Sequence, residues 1–146
     1  MTQANGKVYH HQVVVQWGDT DPAKIAFYPN FFTWFDESTR GLFDSVGLDW
    51  DMLMDRYGVV GVPIVTVNAT FRRPAVFRDN LVVESSITSW NDSTFVVTHR
   101  VLRDTHLIAE GTETRVWAAH HPDDPKRLRP TPIPPEIIAA FTPNEA

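Results

Sequence analysis

Two aspartates, Asp19 and Asp21, lie two residues apart between a strand-like segment and a helix-like segment. An Asp side chain is ionised at neutral pH, because its reference pKa is about 3.9. Such a carboxylate can attack a carbonyl carbon as a nucleophile or activate a water molecule as a general base. A helix start adds unpaired backbone N–H groups and a positive dipole end, which stabilise a developing oxyanion. Together these features predict a site for attack on a carbonyl compound.

The same residues also have a simpler structural interpretation. Gly18-Asp19 and Asp21-Pro22 are common turn sequences, because Asp accepts hydrogen bonds from nearby backbone N–H groups and Pro fixes φ. On residue types alone, the turn interpretation is the stronger of the two. The catalytic hypothesis therefore needs support from the rest of the chain.

The histidines do not follow a metal-site pattern. His10-His11 and His120-His121 are adjacent pairs, so in an extended chain the two rings of a pair point to opposite faces. His99 lies on the same predicted strand face as Phe95 and Val101, which is typical of a packed strand residue. We therefore expect no metal ion and no bound redox cofactor.

Composition limits the classes of protein that fit. The 146 residues suit one domain, taken as residues 1–146, with 13 Lys and Arg against 18 Asp and Glu and a net charge of −5. This charge disfavours nucleic-acid binding. The absence of cysteine excludes disulfides, Cys-zinc sites and a Cys nucleophile. Residues 1–12 lack an apolar stretch, and no apolar run reaches the ~18 residues of a membrane helix, so we expect a soluble cytoplasmic protein.

Hydrophobic periodicity predicts the elements that would position the aspartates. A Val-rich strand over Val8–Trp17 precedes them, and a helix over Asn30–Val46 follows, with Asn30 as its N-cap. Apolar residues fall on one stripe of that helix, and Gly47 marks its end. A second short helix is predicted near Asp49–Tyr57.

The remainder indicates an antiparallel sheet. Strands with alternating apolar residues are predicted at Pro63–Arg72, Leu81–Trp90, Thr94–Leu102 and Leu107–Ala118. Because short turns join most of them, we expect a meander of consecutive strands that curls around the long helix, an α+β arrangement. The Pro-rich tail from about residue 120 is predicted to be extended on the surface, with one helical turn near Glu136 to Phe141.

The segment Trp17–Trp34, WGDTDPAKIAFYPNFFTW, resembles the motif of the 4-hydroxybenzoyl-CoA thioesterase family of hotdog-fold proteins. In that family the pattern is approximately G-D-x-D-P-A-G-I-V-(aromatic)-Y-P-N, and a looser match continues through Gly61–Val65 and the later strands. The resemblance implies a hotdog fold, in which a curved antiparallel sheet of about five strands wraps a long helix. This agrees with the arrangement predicted from periodicity.

The resemblance also implies roles for particular residues. Asp21 falls on the family's catalytic carboxylate, and the backbone N–H of Tyr28 falls where the family polarises the thioester carbonyl. Asp19 is interpreted as a turn or capping residue. Asp36 matches an Asp on the family's helix, which implies either a contact with substrate in the partner subunit or a solvated helix face.

The sequence departs from the family pattern at two places. Lys24 replaces a Gly after Pro-Ala, which predicts either a changed loop conformation or a new charge near Asp21. That charge would pair with Asp21 or contact an anionic group of the substrate, unless Lys24 is a solvent-exposed surface residue. The family's basic cluster after the third-strand Trp is replaced by Asn91 to Thr94, where Ser93 and Thr94 are candidate hydroxyl donors to the substrate. The alternative cations for the phosphates of coenzyme A are Arg72, Arg73, Arg78, Arg100 and Arg115, of which Arg115 best matches a basic family position.

The predicted activity is hydrolysis of an acyl-CoA thioester, with an aromatic group of the hydroxybenzoyl or benzoyl type, or a short chain, as the acyl part. Coenzyme A would be part of the substrate, so no cofactor is expected. A non-catalytic acyl-binding module is the alternative, and a hydratase is disfavoured because the loop has no His. The resemblance further implies a homodimer or homotetramer.

Overall fold

The computed structural model describes residues 6–142. None of the helices within this range has both the length and the apolar character needed to cross a membrane. The helices are α1 (Pro29–Asp44), α2 (Trp50–Tyr57) and α3 (Pro135–Ala140), and a single 3-10 turn covers Trp17–Asp19. The strands are β1 (Val8–Val14), β2 (Ile64–Phe71), β3 (Asn80–Trp90), β4 (Thr94–Arg103), β5 (His106–Val116), β6 (Ala118–His121) and β7 (Asp124–Pro130).

The first five strands form one antiparallel sheet in the order β1-β3-β4-β5-β2. The prediction of a continuous four-strand meander was therefore wrong for its first strand. β3, β4 and β5 do follow one another, but β2 lies on the far side of β5, with Phe71 opposite Ala109 and Ile64 opposite Arg115. The 8 residues between β2 and β3 cross the sheet instead of making a tight turn, and alternation of side chains carries no signal for that crossing.

α1 packs its apolar stripe against this sheet. Phe31, Trp34, Phe35, Leu42 and Phe43 are buried on that stripe, as the periodicity predicts. The prediction of Asn30 as N-cap was wrong. The cap position is Tyr28, and Pro29 takes the first helical position, where its missing N–H removes no helical hydrogen bond.

The Pro-rich tail is more structured than the predicted surface segment. β6 and β7 pair as a separate two-stranded hairpin. The predicted helical turn is α3, and the side chains of Ile137 and Phe141 are buried in the same core as Phe43 and Trp117. The backbone N–H of Lys7 also donates to the carbonyl of Phe141, at 2.8 Å. Isolated apolar residues among prolines thus anchor the tail to the core.

β2 is an edge strand with exposed apolar side chains. Its 8 residues are all exposed except Ala69, which is half-buried. The exposed apolar residues are Ile64, Val65, Val67 and Phe71. An edge strand of this kind presents unpaired backbone groups to any strand that can pair with it.

Candidate functional site

The loop between β1 and α1 is fixed by Asp19. Its Oδ2 accepts from the backbone N–H of Gln16 at 2.8 Å. Its carbonyl oxygen accepts from the N–H of Phe27 at 2.7 Å and from Nδ2 of Asn30 at 2.8 Å. Asp19 therefore joins the two ends of the loop, in the turn and capping role that its sequence predicts, and Asn30 contributes to the loop rather than to the helix cap.

Asp21 lies at the turn of this loop and is half-buried. Its Oδ1 accepts from the N–H of Ala23 at 2.8 Å, and its own N–H donates to the carbonyl of Ile25 at 3.0 Å. The first bond is an Asx-turn, which fixes the orientation of the carboxylate. Within residues 6–142 the second oxygen, Oδ2, has no hydrogen-bond partner, so it is available to a substrate or a water molecule.

The start of α1 has one free backbone amide. The N–H of Asn30 donates to the carbonyl of Phe27 at 3.0 Å, and that of Phe31 donates to the carbonyl of Tyr28 at 3.1 Å. Pro29 has no N–H. The Tyr28 N–H has no backbone acceptor in the described part of the chain, so of these first residues it is the donor left for a ligand.

Asp21 and Tyr28 line the same cleft, which has a volume of about 610 Å³. Its walls are mainly apolar, formed by the loop, α1 and the end of β2. The other lining residues are Ile25, Ala26, Phe31, Phe71, Arg72, Arg73, Pro74 and Ala75. The rings of Tyr28 and Phe31 each make edge-to-face contact with Phe71, at centroid distances of 6.4 and 5.2 Å. The residue with the unpartnered carboxylate oxygen and the residue with the free amide thus line one aromatic-walled cleft, which is large enough for a small-molecule ligand.

Lys24 keeps the backbone conformation that a Gly would take. Its φ is 66°, in the left-handed region, and its N–H donates to the carbonyl of Asp21 at 2.7 Å. The backbone at this position therefore carries the strain of a non-Gly residue in the left-handed region. Lys24 and Asp21 also line a second, smaller cavity of about 410 Å³, together with Trp17.

The predicted substrate contacts Arg115, Ser93 and Thr94 lie away from this cleft within one chain. The cleft adjoins the end of β2 that pairs with Ala109, whereas Arg115 lies six residues further along β5, about 20 Å away at ~3.3 Å per residue. Ser93 and Thr94 lie at that same far end, where Thr94 is paired with Val116.

Asp36 is also placed at the far end, through its contact with Arg115. Its Oδ1 accepts from Nη2 of Arg115 at 2.7 Å, and its side chain is 61% exposed. Of the residues predicted from the sequence, the structure therefore brings together Asp21, Tyr28, Arg72 and Arg73 around the cleft. Lys24 lines the smaller cavity that shares Asp21 with it.

Arg115 is not an open phosphate site in this chain. Its side chain is only 4% exposed, and its guanidinium donates to both oxygens of Glu113, at 3.0 and 2.9 Å, and to the carbonyl of Val62 at 2.9 Å. The prediction that it serves as a cation for coenzyme A is corrected accordingly, because a buried and fully engaged guanidinium does not reach a phosphate in solvent. Arg73, which lines the cleft, is exposed and has no ion-pair partner within residues 6–142.

Sequence reasoning missed a buried polar network between α1 and the sheet. His99 is fully buried, stacks on Phe35 at 4.4 Å, and bonds to Ser85 Oγ at 2.6 Å and to Glu113 at 3.0 Å. Thr39 Oγ1 on α1 donates to Glu113 at 2.6 Å. Burial acts to raise the pKa of Glu113, but hydrogen bonds from His99 and Arg115 outweigh it and lower the pKa from 4.5 to about 2. His99 is thus a satisfied packed residue, as its strand position predicts.

A second feature that sequence reasoning missed is a basic cluster on β7. Lys126, Arg127 and Arg129 are all exposed there, in a chain with a net charge of −5. The run Lys-Arg-Leu-Arg is present in the sequence, but the prolines on either side of it predict only an extended chain. β6 and β7 follow Val116 directly, so the cluster lies toward the same far end of the sheet as Arg115.

Comparison with known proteins places this chain and its fold in one family. The sequence model of the Thioesterase-like superfamily matches residues 15–141. The chain is 36% identical over 130 residues to the 4-hydroxybenzoyl-CoA thioesterase of Pseudomonas sp. strain CBS-3, covering 85% of this chain and 90% of that protein.

Two solved structures are similar over nearly the whole chain. A crystal structure of a 4-hydroxybenzoyl-CoA thioesterase mutant complexed with 4-hydroxybenzoyl-CoA superimposes with a TM-score of 0.86 at 34% identity, covering 93% of this chain and 99% of that one. A gentisyl-coenzyme A thioesterase superimposes with a TM-score of 0.75 at 35% identity, covering 92% and 98%. The chain therefore belongs to the thioesterase-like superfamily and is a hotdog-fold acyl-CoA thioesterase.

Proposed function

We propose that this enzyme hydrolyses an aromatic acyl-CoA of the hydroxybenzoyl or benzoyl type to the free acid and coenzyme A, with Asp21 as the reacting carboxylate and the Tyr28 N–H as the oxyanion donor. One observation carries the proposal. A carboxylate with an unpartnered oxygen and an amide without a backbone acceptor line the same aromatic-walled cleft.

The proposed chemistry uses these two groups in turn. The thioester oxygen accepts a hydrogen bond from the Tyr28 N–H, and one such donor contributes about 3–4 kcal/mol to the transition state. In one route Asp21 attacks the acyl carbon, the C–S bond breaks, the thiolate leaves, and water then hydrolyses the mixed anhydride. In the other route Asp21 takes a proton from a water molecule that attacks the acyl carbon, and the thiolate leaves. A thiol of pKa near 8.5 leaves readily as a thiolate, so the reaction calls for no metal or redox cofactor and for little acid catalysis.

An aromatic acyl group fits the walls of the cleft. The edges and faces of Tyr28, Phe31 and Phe71 surround a volume of about 610 Å³, and aromatic rings pack favourably in such edge-to-face surroundings. The relative and the two solved structures described above are named for hydroxylated aromatic acyl groups, namely 4-hydroxybenzoyl and gentisyl. Both lines of support favour an aryl thioester over a short aliphatic one.

We further propose that two chains pair through β2 to complete the site. The Phe71 end of β2 borders the cleft, and the Ile64 end lies beside Arg115 and thus near Asp36. If two copies of β2 pair antiparallel across a two-fold axis, the Ile64 end of one strand lies beside the Phe71 end of the other. This pairing brings Asp36 of one chain toward the cleft of its partner, where it accepts a hydrogen bond from a hydroxyl on the acyl group.

The same pairing brings the far end of the partner's sheet toward the cleft. Ser93, Thr94 and the basic cluster of β7 lie at that end, and they are proposed to contact the coenzyme A part of the substrate. The exposed Lys126, Arg127 and Arg129 provide three positive charges for its phosphates, with Arg73 at the rim of the cleft as a further cation.

The test is release of free thiol from purified protein with benzoyl-, 4-hydroxybenzoyl-, phenylacetyl- and short aliphatic CoA esters. We expect the aryl esters to have the highest kcat/KM. Asp21→Asn is expected to lower kcat by about 100-fold or more, because it removes both nucleophilic and general-base capacity. A few-fold loss would place the chemistry on another residue, and higher kcat/KM for the aliphatic esters would contradict the proposed substrate class.

A matched control is Asp55→Asn, the same isosteric change at an exposed carboxylate on α2. It is expected to leave thiol release unchanged. A single turnover in ¹⁸O-labelled water tests the nucleophilic route. Label that appears in the Asp21 carboxylate shows a mixed anhydride hydrolysed at the Asp21 carbonyl carbon, whereas attack of water at the acyl carbon places the label in the product acid in either route.

A further inference from the structure

The positive charge of Arg115 is balanced by Glu113 without a contribution from Asp36. Its guanidinium makes two hydrogen bonds to Glu113, whose side chain is fully buried, and a third to the carbonyl of Val62. Glu113 is held in turn by Thr39 Oγ1 and by His99. The buried pair is therefore complete as a structural unit, and burial of its two charges requires no third partner.

Arg115 nevertheless makes a fourth hydrogen bond that reaches the surface. Its Nη2 donates to Oδ1 of Asp36 at 2.7 Å, and the Asp36 side chain is 61% exposed. An exposed Asp on a helix ordinarily samples several rotamers. A donor that is itself fixed from behind by Glu113 and Val62 restricts Asp36 to one of them and leaves its second oxygen open to solvent. A contact of this kind adds little to stability, because an exposed partner keeps most of its solvation when the pair is broken.

We propose that Arg115, fixed by Glu113, is a positioning residue that orients Asp36 for recognition of a hydroxyl on the acyl ring. The inference rests on the proposed function, since it assigns Asp36 to the acyl part of the site. The added claim is that selectivity for a ring hydroxyl depends on the buried guanidinium of Arg115, which does not contact the substrate.

The experiment measures kcat/KM for 4-hydroxybenzoyl-CoA and for benzoyl-CoA and takes their ratio. Arg115→Lys keeps a positive charge beside Glu113, but a single ammonium does not reproduce the planar fork that serves Glu113 and Asp36 together. We expect this variant to lower the ratio about tenfold, a loss of about 1.4 kcal/mol of discrimination. Asp36→Ala is expected to lower it similarly, and the double variant to lower it no further, because both changes remove one interaction.

Glu37→Ala is the matched control, since Glu37 is the neighbouring exposed carboxylate on α1 and faces His11 instead. Its ratio is expected to equal that of the wild type. If Arg115→Lys does not fold, the charge-balanced double variant Glu113→Gln/Arg115→Met removes both buried charges together, and its ratio is expected to fall in the same way.

The outcomes separate this inference from the function on which it rests. If the wild type hydrolyses neither ester, the proposed function fails. If the wild type hydrolyses both esters with equal kcat/KM, or if Arg115→Lys lowers both values by the same factor, the enzyme is an aryl thioesterase and the positioning role is wrong. A lower ratio with a nearly unchanged kcat/KM for benzoyl-CoA supports the role, because a merely destabilised protein loses both activities equally.

Discussion

At the scale of single residues, the two aspartates of the loop between β1 and α1 have different roles. Asp19 directs its side chain and its carbonyl to three groups of the loop and of α1. Asp21 uses one oxygen for its own turn, leaves the other without a hydrogen-bond partner in the described residues, and lines the cleft. Asp19 and Asp21 carry the same charge and lie two positions apart. Their roles differ because the loop makes its closing hydrogen bonds to Asp19 and not to Asp21.

Glu113 makes the stability of the folded protein depend on pH. Because its pKa is lowered to about 2 in the folded state and lies near 4.5 in the unfolded chain, its contribution is fully present above about pH 4.5 and is lost as the pH falls toward 2. The difference corresponds to about 3 kcal/mol. We expect urea titrations between pH 6 and pH 2.5 to give a free energy of unfolding that falls more steeply for the wild type than for Glu113→Gln.

A suitable comparison is Glu110→Gln on the same strand, because Glu110 is partly exposed and pairs with Arg72 at the surface. Its pH profile is expected to follow that of the wild type. Parallel profiles for the wild type and Glu113→Gln would contradict the assignment of the acid sensitivity to Glu113.

At the scale of elements, the contact between β2 and β5 depends on a glycine. A Cβ added at Gly111 would lie 2.0 Å from the carbonyl oxygen of Asn68, on the backbone of β2. The strand cannot move aside there without breaking the pairing that holds the end of β2 beside the cleft. No left-handed backbone is involved, so the requirement is one of space alone.

We expect Gly111→Ala to destabilise the protein by about 2–3 kcal/mol or more, as in other overpacked sites. Thermal unfolding followed by circular dichroism measures the effect. Gly18→Ala is the control, since a Cβ there meets no atom within 4 Å. An unchanged melting temperature for Gly111→Ala would show that β2 is displaced at little cost.

Much of this element level could be predicted from the sequence, and the exceptions have physical causes. Periodicity finds α1 and all five strands of the large sheet, because burial of one face leaves a regular pattern. It does not find that β2 lies next to β5, since pairing order depends on a crossover and not on local alternation. The network around Glu113 was missed because its polar residues occupy core-facing positions, where a pattern of apolar residues gives no signal.

At the scale of the whole molecule, the open edge of β2 is the surface on which the proposed site depends. We expect sedimentation velocity to give a dimer or a larger assembly for the wild type. Val65→Lys places a charge on an exposed apolar side chain of that edge and is expected to shift the protein toward the monomer and to lower thiol release in parallel.

Val8→Lys provides the comparison, because Val8 is exposed on β1, the opposite edge of the same sheet. It is expected to change neither assembly nor activity. A fully active monomer would contradict the completion of the site by a second chain.

The hydrogen bond between Lys7 and Phe141 has a consequence for how the chain is connected. The backbone N of Lys7 lies 2.8 Å from the carbonyl oxygen of Phe141, so a short peptide suffices to join these two parts of the chain. New ends placed at the exposed tip of the hairpin, at Pro122 and Asp123, then yield a circular permutant whose loop and long helix are still one uninterrupted segment. Catalysis by such a permutant depends on where the elements lie in space and not on their order along the chain.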